Sequence, residues 1–289
     1  MPVVPALRDG VRGAIVLAGQ LKDPRLRPWR STLKQRLRGY HALCNICGWH
    51  GSAFDGVAHS ESAQCPNCGA IARDRFLYHC WTERTRYRKR ATVLETSPRL
   101  GADYRDHMSR RVDYLCSDFD ESAHRAQLHI DLQQIDLPDS SLDAVLTPHV
   151  LEHVPDTGRA LRELYRVMRA GGSVFLMIPV PQGRTAKPTE PEYHADNTLV
   201  HWRFGWDLTD QIRAAGFRAT ILVPQELYER CRDANPWDYG GDDADVKSLI
   251  GAAGPYLTDM HVVADARTAR RLGFEPGFFF IVWQCHKPA

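Results

Sequence analysis

The chain has 289 residues, of which 43% are hydrophobic and 25% are charged, with a formal net charge of +2. These values are typical of a soluble globular protein. No apolar run approaches the roughly 20 residues that a membrane-spanning helix needs. The short apolar patch at residues 14–18 is closely flanked by charges, unlike a secretion signal, so we expect a cytoplasmic protein.

The charge is unevenly distributed along the chain. Residues 1–90 contain 16 Lys and Arg against 6 Asp and Glu, so the remainder is acidic. Residues 1–39 are rich in arginine and interrupted by proline, and are predicted to form an extended arm. Such a basic segment can contact nucleic acid, another acidic partner or the acidic remainder of its own chain, or can simply form a solvated face.

Four of the eight cysteines lie in two CxxCG turns that are separated by 17 residues. The turns contain Cys44, Cys47, Cys65 and Cys68. Four thiolates at this spacing are typical of tetrahedral Zn²⁺, with iron as the minor alternative, and a site closed by four cysteines is structural. The sequence therefore predicts a zinc ribbon at residues 40–72. The other four, Cys80, Cys116, Cys231 and Cys285, are predicted to be ordinary buried residues.

Residues 73–90 are predicted to form a linking helix. From residue 91 the pattern alternates between strand and helix, which favours a Rossmann-like doubly wound α/β sheet of about seven strands. The predicted strands are residues 91–95, 112–116, 128–130, 143–146, 173–180, 218–223 and 277–284, and the predicted helices include residues 157–169 and 207–215. Ala170, Gly171 and Gly172 are expected to end the first of these helices. Residues 225–275 are predicted to be an insertion that shapes a ligand pocket.

The segment at residues 130–172, IDLQQIDLPDSSLDAVLTPHVLEHVPDTGRALRELYRVMRAGG, carries the most specific pattern. It resembles class I S-adenosylmethionine (SAM)-dependent methyltransferases of the type 11-like group, with their LPF-x-D-x-SFD and HVLEHV signature. The resemblance covers residues 91–223, and the last strand fits more loosely. It implies a methyltransferase domain at residues 91–289. The CPxCG turn followed by Arg73 and Arg75 is similar to a branch of this family that carries a zinc ribbon.

The resemblance also implies which residues bind the cofactor. Asp118 would accept from the ribose hydroxyls, Asp131 from the adenine amine, and Leu132 would pack on the adenine ring. Against the family's E-x-G-x-G-x-G loop this chain has Glu95 to Gly101, with Ser97 and Arg99 in place of two glycines. Arg99 is expected to pair with the methionine carboxylate, and His149 to face the cofactor cleft. Because two glycines of the loop are replaced, a non-catalytic binding protein is an alternative interpretation.

Methyl transfer to a hydroxyl requires a base, and histidine is suited to that role. His201 is the first candidate because it resembles the family's H-x-R-x-(Y/F)-G segment, and His149 is the second. His194 is a weaker candidate, and His153 is expected mainly to pack. The long polar loop at residues 181–199 is predicted to be either a lid or exposed surface.

Three functions are compatible with the sequence. The first is O-methylation of a small molecule or sugar, and the second is methylation of an RNA base, with the arm and ribbon binding phosphates. The third is non-catalytic binding on a methyltransferase-like fold. The ribbon lacks interleaved aromatic residues that would stack on bases, which favours the first over the second.

Overall fold

The computed structural model describes residues 41–56, 61–85, 90–120, 126–179, 182–194, 197–235, 244–274 and 280–289. The predicted arm at residues 1–39 lies outside these ranges. No helix within them is both long and apolar enough to cross a bilayer.

An eight-stranded sheet forms the centre of the fold, in the order β11-β10-β12-β7-β6-β3-β4-β5. Its strands are β3 (Thr92–Thr96), β4 (Asp113–Asp118), β5 (Leu128–His129), β6 (Leu142–Pro148), β7 (Met168–Met177), β10 (Arg218–Pro224), β11 (Met260–Ala264) and β12 (Val282–His286). Only β12 is antiparallel to its neighbours in this sheet. The predicted Rossmann-like α/β class is therefore confirmed.

The sheet has one strand more than predicted. The extra strand is β11, which comes from the predicted insertion and pairs in parallel with the end of β10. Its sequence, MHVVA, is short and only partly buried, because it lies at the edge of the sheet. A five-residue edge strand has no alternation strong enough to identify it without its partner.

Helices cover both faces of the sheet and bury two apolar clusters. They are α1 (Ala72–Arg84), α2 (Ala102–Ser109), α3 (Thr157–Val167), α4 (Leu208–Ala214), α5 (Gln225–Asp233), α6 (Ala244–Ala252) and α7 (Ala266–Leu272). The first cluster includes residues of α3 to α6, and the second includes residues of α1, α2 and α7. Two short 3₁₀ turns occur at Leu151–His153 and Gly254–Asp259.

The predicted end of α3 was wrong. The helix stops at Val167, and Ala170, Gly171 and Gly172 belong to β7. The amide of Gly171 donates to the carbonyl of Lys287 at 2.9 Å, and the Lys287 ammonium donates to the carbonyls of Tyr165 and Met168, each at 2.8 Å. A lysine from the far end of the chain therefore satisfies the last helical carbonyls, which local sequence cannot reveal.

Residues 41–72, which we call the cysteine module, contain two short antiparallel strands, β1 (Ala42–Leu43) and β2 (His50–Gly51). After the second cysteine of each turn comes a glycine in the left-handed region, Gly48 at φ +76° and Gly69 at φ +74°. This backbone conformation favours glycine and lets each turn fold back on its cysteines. The module leads directly into α1.

Helix α1 does not project as a free linker but packs on the sheet beside β6, β7 and β11. It is anchored by Arg75, whose side chain is fully buried. The guanidinium donates to the carbonyls of Ala63 at 3.0 Å and Ala70 at 2.5 Å in the cysteine module, and of Leu272 at 2.8 Å at the end of α7. It also stacks 3.6 Å from the centre of the Phe54 ring. One side chain thus joins the module to the sheet domain.

We expect Arg75→Met to reduce the free energy of unfolding by about 3 kcal/mol, because it leaves three buried carbonyls without donors. Urea unfolding followed by circular dichroism measures the change. The exposed Arg270→Met is the matched control and should change stability by less than about 0.5 kcal/mol. Equal effects of the two substitutions would contradict the anchoring role of Arg75.

Candidate functional site

The candidate site lies at the carboxyl ends of the parallel strands. Strands β3 and β6 are neighbours, and the chain continues from β3 toward β4 and β5 on one side and from β6 toward β7 on the other. Ligands of open α/β sheets bind outside such a reversal of strand order. Glu95 is the second-last residue of β3, Asp118 is the last residue of β4, and Asp131 follows β5. We call these three residues the strand-end acids.

Ser97 occupies one of the positions where the family has glycine. Its φ is +46°, in the left-handed region that favours glycine, and its amide donates to the carbonyl of Ser117 at 2.7 Å. The Ser97 hydroxyl donates to Asp118 Oδ2 at 2.9 Å, and the amide of Asp120 donates to Asp118 Oδ1 at 3.1 Å. The serine therefore preserves the tight turn and orients the Asp118 carboxylate.

Glu95 is buried, and its Oε2 accepts hydrogen bonds from the hydroxyls of Tyr104 at 2.9 Å and Tyr114 at 2.8 Å. Burial raises the pKa of Glu95 to about 7, and the two tyrosine hydrogen bonds only partly oppose this shift. Glu95 lines a small cleft together with Ser97 and Pro148. We call this the smaller cleft.

The cysteine module and α1 form the opposite wall of the smaller cleft. Their contribution consists of Ile46, Arg73, Asp74, Leu77 and Tyr78. Arg99, which the sequence pairs with a ligand carboxylate, instead forms an ion pair with Asp74 and donates to the carbonyl of Gly69 at 3.0 Å. The Arg99 guanidinium is thus held by α1 and the cysteine module, and its pairing with a ligand carboxylate stays a prediction.

Nothing in the conformation or surroundings of Gly101 requires a glycine at this position. It precedes α2, is exposed, and has an ordinary φ of −76°. A Cβ atom at this position would meet no atom within 4 Å. The described residues therefore impose no steric demand for glycine at this end of the loop.

Asp131 and Leu132 lie just beyond β5, with Leu132 buried and Asp131 half-buried. Asp131 Oδ1 accepts from the amide of Gln133 at 2.8 Å, which fixes the turn. Sequence reasoning missed Phe119, which follows Asp118 directly and is 66% exposed. A large aromatic ring this exposed, next to a strand-end acid, is a candidate to stack on a planar ligand. The position of Phe119 directly after Asp118 was the signal in the sequence that could have identified it as a candidate site residue.

A second, larger cleft of 340 Å³ opens beyond β6 and β7. It is lined by Glu152, Ile178, Pro179, Gln182, Glu192, His194, Val200, Trp202, Arg203, Phe204, Asp245 and Val246. The loop after β7 contributes part of the wall through the hairpin of β8 (Glu192–Tyr193) and β9 (Leu199–Val200). Helix α6 of the predicted insertion contributes Asp245 and Val246.

His149 lies in the chain between Pro148 of the smaller cleft and Glu152 of the larger cleft, and is itself in the lining of neither. It follows Pro148, which lines the smaller cleft, and its Nδ1 is 3.8 Å from Glu152 Oε1 in the larger one. Its φ is +53°, and its amide donates to the carbonyl of Met177 at 2.8 Å, which holds this strained position. Burial, assisted by the nearby Arg73 charge, holds the pKa of His149 well below its usual range. The imidazole is therefore neutral near pH 7.

His201, the first predicted base, is not among the described residues that line either cleft. Its amide donates to the carbonyl of Glu152 at 2.8 Å, so its backbone supports the turn that carries Glu152. Glu152 itself was missed as a site residue. Its place between two histidines in HVLEHV was the available signal, but only the fold shows that its carboxylate is buried.

Comparison with known proteins is consistent with this geometry. Residues 78–176, about a third of the chain, match the model of a methyltransferase domain. A Mycobacterium tuberculosis protein named "Probable S-adenosylmethionine-dependent methyltransferase" is 35% identical over 189 residues, which are 61% of this chain and 65% of the relative. The 27-O-demethylrifamycin SV methyltransferase of Amycolatopsis mediterranei is 36% identical over 62 residues, covering 20% and 23% of the two chains.

Among solved structures, the Burkholderia thailandensis 1,6-didemethyltoxoflavin-N1-methyltransferase is similar with a TM-score of 0.42 and 14% identity. The match covers 75% of this chain and 77% of that one. The family match contains the strand-end acids, His149 and Glu152. The chain spans 65% of the length of the mycobacterial relative. In sequence, the strand-end site is therefore similar to a methyltransferase domain.

The raised pKa of Glu95 predicts a specific pH dependence of stability. A neutral Glu95 stabilises the fold fully below its unfolded pKa of about 4.5, and this contribution is lost as the pH rises through about 7. Glu95→Gln keeps an acceptor for the tyrosines without the charge. We therefore expect it to be more stable than the unmodified protein by about 1–3 kcal/mol at pH 8, with the difference closing toward pH 5.

Urea unfolding at several pH values measures this difference, with the exposed Glu190→Gln as the control. A stability difference between Glu95→Gln and the unmodified protein that is the same at every pH would contradict the raised pKa of Glu95.

Proposed function

We propose that this protein is a SAM-dependent methyltransferase that methylates a hydroxyl group of a small molecule or sugar. The observation that carries the proposal is the position of His149. This neutral imidazole follows Pro148 of the smaller cleft and is 3.8 Å from Glu152 of the acceptor-sized cleft. Methyl transfer requires a donor site and an acceptor site that meet at one point, and that arrangement supports the assignment.

The residues at the strand ends fit SAM, whose sulfonium supplies an electrophilic methyl group when it is bound. Asp118 would accept from the ribose hydroxyls, and Asp131 would accept from the adenine amine. Leu132 and the exposed Phe119 offer apolar faces to the adenine ring. In addition, the buried hydroxyls of Thr96 and Thr147, beside the ends of β3 and β6, have no hydrogen-bond partner among the described residues. A bound ligand would satisfy such groups.

The larger cleft supports a small polar acceptor. Its volume of 340 Å³ is within the usual range of small-molecule pockets. Glu192 and Asp245 offer acceptors for hydroxyl groups, and the Trp202 indole offers a flat apolar face. The His149 imidazole is the base that would take the hydroxyl proton as the oxygen attacks the methyl carbon. His201, which the sequence ranks first, would support the Glu152 turn instead.

RNA is the less favoured acceptor because the described lining of the larger cleft has three acidic side chains and one arginine. That arginine, Arg203, forms an ion pair with Glu192 at 2.8 Å. A phosphate backbone requires a cationic surface. The basic residues 1–39 lie outside the described ranges. Because they could contact phosphates, methylation of RNA is one outcome that the labelling experiment below distinguishes. A non-catalytic binding protein is the remaining alternative.

The cysteine module fits a structural zinc ion. The Sγ atoms of Cys44 and Cys68 are 3.7 Å apart, as are those of Cys47 and Cys65, and all four lie within 4.8 Å of one another. Ligands about 2.3 Å from a tetrahedral ion are separated by roughly 3.8 Å. We propose that Zn²⁺ at these four thiolates stabilises the module and, through α1, the wall of the smaller cleft.

Calorimetric titration with SAM and with S-adenosylhomocysteine tests the cofactor site. We expect saturable binding, weakened about 10- to 100-fold by Asp118→Ala and by Asp131→Ala, because each removes a charged acceptor. Asp136→Ala is the matched control, since this exposed acid lies in the same loop as Asp131 and should not change affinity. Failure of the unmodified protein to bind either ligand would favour the non-catalytic alternative.

Incubation with methyl-labelled SAM and a cell extract tests the acceptor class. We expect the label in the small-molecule fraction, because the larger cleft is enclosed and acidic. His149→Ala should abolish transfer while SAM still binds. Label that is recovered in RNA, and lost on ribonuclease treatment, would instead establish the nucleic-acid alternative.

A further inference from the structure

The Glu152 carboxyl group is buried, and its surroundings compensate its charge only in part. Its side chain is 2% exposed, and neither oxygen has a hydrogen-bond partner among the described residues. The nearest histidine nitrogens, His149 Nδ1 at 3.8 Å and His153 Nε2 at 3.9 Å, are beyond hydrogen-bond distance. An uncompensated buried carboxylate costs several kcal/mol, so this group requires a proton or a cation.

The histidines beside Glu152 are oriented as metal ligands commonly are. His153 Nδ1 is 2.7 Å from the carbonyl of Leu199, so Nδ1 carries the proton and donates it. His153 Nε2, which carries no proton in this tautomer, lies 3.9 Å from Glu152 Oε1. A backbone carbonyl that fixes the tautomer in this way is the usual outer contact of a metal-bound histidine. The His194 ring lies perpendicular to that of His153, with centres 4.6 Å apart.

We propose that Glu152, His153 and His194 bind a divalent transition-metal ion, separate from the four-cysteine site. One ligand atom from each residue lies within 4.8 Å of the others. Around an ion with bonds of about 2.1 Å, ligands are roughly 3–4.2 Å apart, so a small side-chain adjustment closes the site. Two imidazoles and one carboxylate suit Zn²⁺, Fe²⁺, Co²⁺ or Ni²⁺ better than Ca²⁺.

Three protein ligands leave coordination positions open, and Glu152 and His194 both line the larger cleft. An acceptor hydroxyl could therefore bind the ion through its oxygen. This step rests on the proposed function. A bound ion would make the hydroxyl more acidic, and His149 would take its proton. The oxygen would then bond to the methyl carbon of SAM as the carbon–sulfur bond breaks, with the electron pair left on sulfur.

The test is titration of the zinc-loaded full-length protein with Co²⁺, followed by visible absorption and calorimetry. We expect one further equivalent to bind, with the weak d–d bands of a nitrogen and oxygen site. Glu152→Gln and His194→Ala should each weaken binding at least about tenfold. His261→Ala, an exposed histidine on β11, is the matched control and should bind like the unmodified protein. Thermal melting verifies that each variant is folded.

Two results would overturn the proposal. One is binding of Co²⁺ only with intense sulfur-to-metal charge-transfer bands, which indicates exchange at the cysteines. The other is unchanged Co²⁺ affinity in folded Glu152→Gln and His194→Ala. The Co²⁺ titration contains no SAM, so its result is independent of the SAM titration. A protein that binds Co²⁺ but fails to bind SAM in its own titration would refute the methyltransferase assignment and retain the metal site.

Discussion

The parallel pairing of β3 with β6 is the constraint on which the rest of the site depends. Val93, Leu94 and Glu95 align with Ala144, Val145 and Leu146, all of them buried. This register brings the ends of two strands, about fifty residues apart in sequence, to the same edge of the sheet. A shift of one residue would reverse which side chains face each cluster, so the burial of both faces fixes the geometry. Glu95 and Pro148 line the same cleft for this reason.

The cysteine module has more than a local role. Arg75 donates to carbonyls in the module and at the end of α7, so the module is held against the sheet domain. Asp74 and the carbonyl of Gly69 bind Arg99 of the first loop. An altered loop is therefore stabilised by contacts that a glycine-rich loop does not have. The module forms part of the wall of the smaller cleft. Unfolding of the module would therefore open this cleft.

Two groups of metal-binding side chains differ in chemistry and in position. Four thiolates in tight turns form a closed, soft site at the edge of the domain. Two imidazoles and a carboxylate form the harder, open site that we propose, and two of these residues, Glu152 and His194, line the larger cleft. Closure suits a structural ion, and open positions suit an ion that meets a substrate. The acidic lining of the larger cleft is compatible with both a cation and a hydroxylated acceptor.

Sequence alone determined the features that depend on local pattern. Two CxxCG turns identified the four cysteines that cluster, and acids at regular intervals predicted the edge of the sheet at which we propose that a ligand binds. Only the tertiary structure decided features that depend on distant partners. Lys287 donates to a carbonyl of the last turn of α3, β11 pairs with β10, and Arg99 forms an ion pair with Asp74. In the sequence, Glu152 is one acidic residue among many. Only the packed fold shows that its carboxyl group is buried, because desolvation depends on residues distant in sequence.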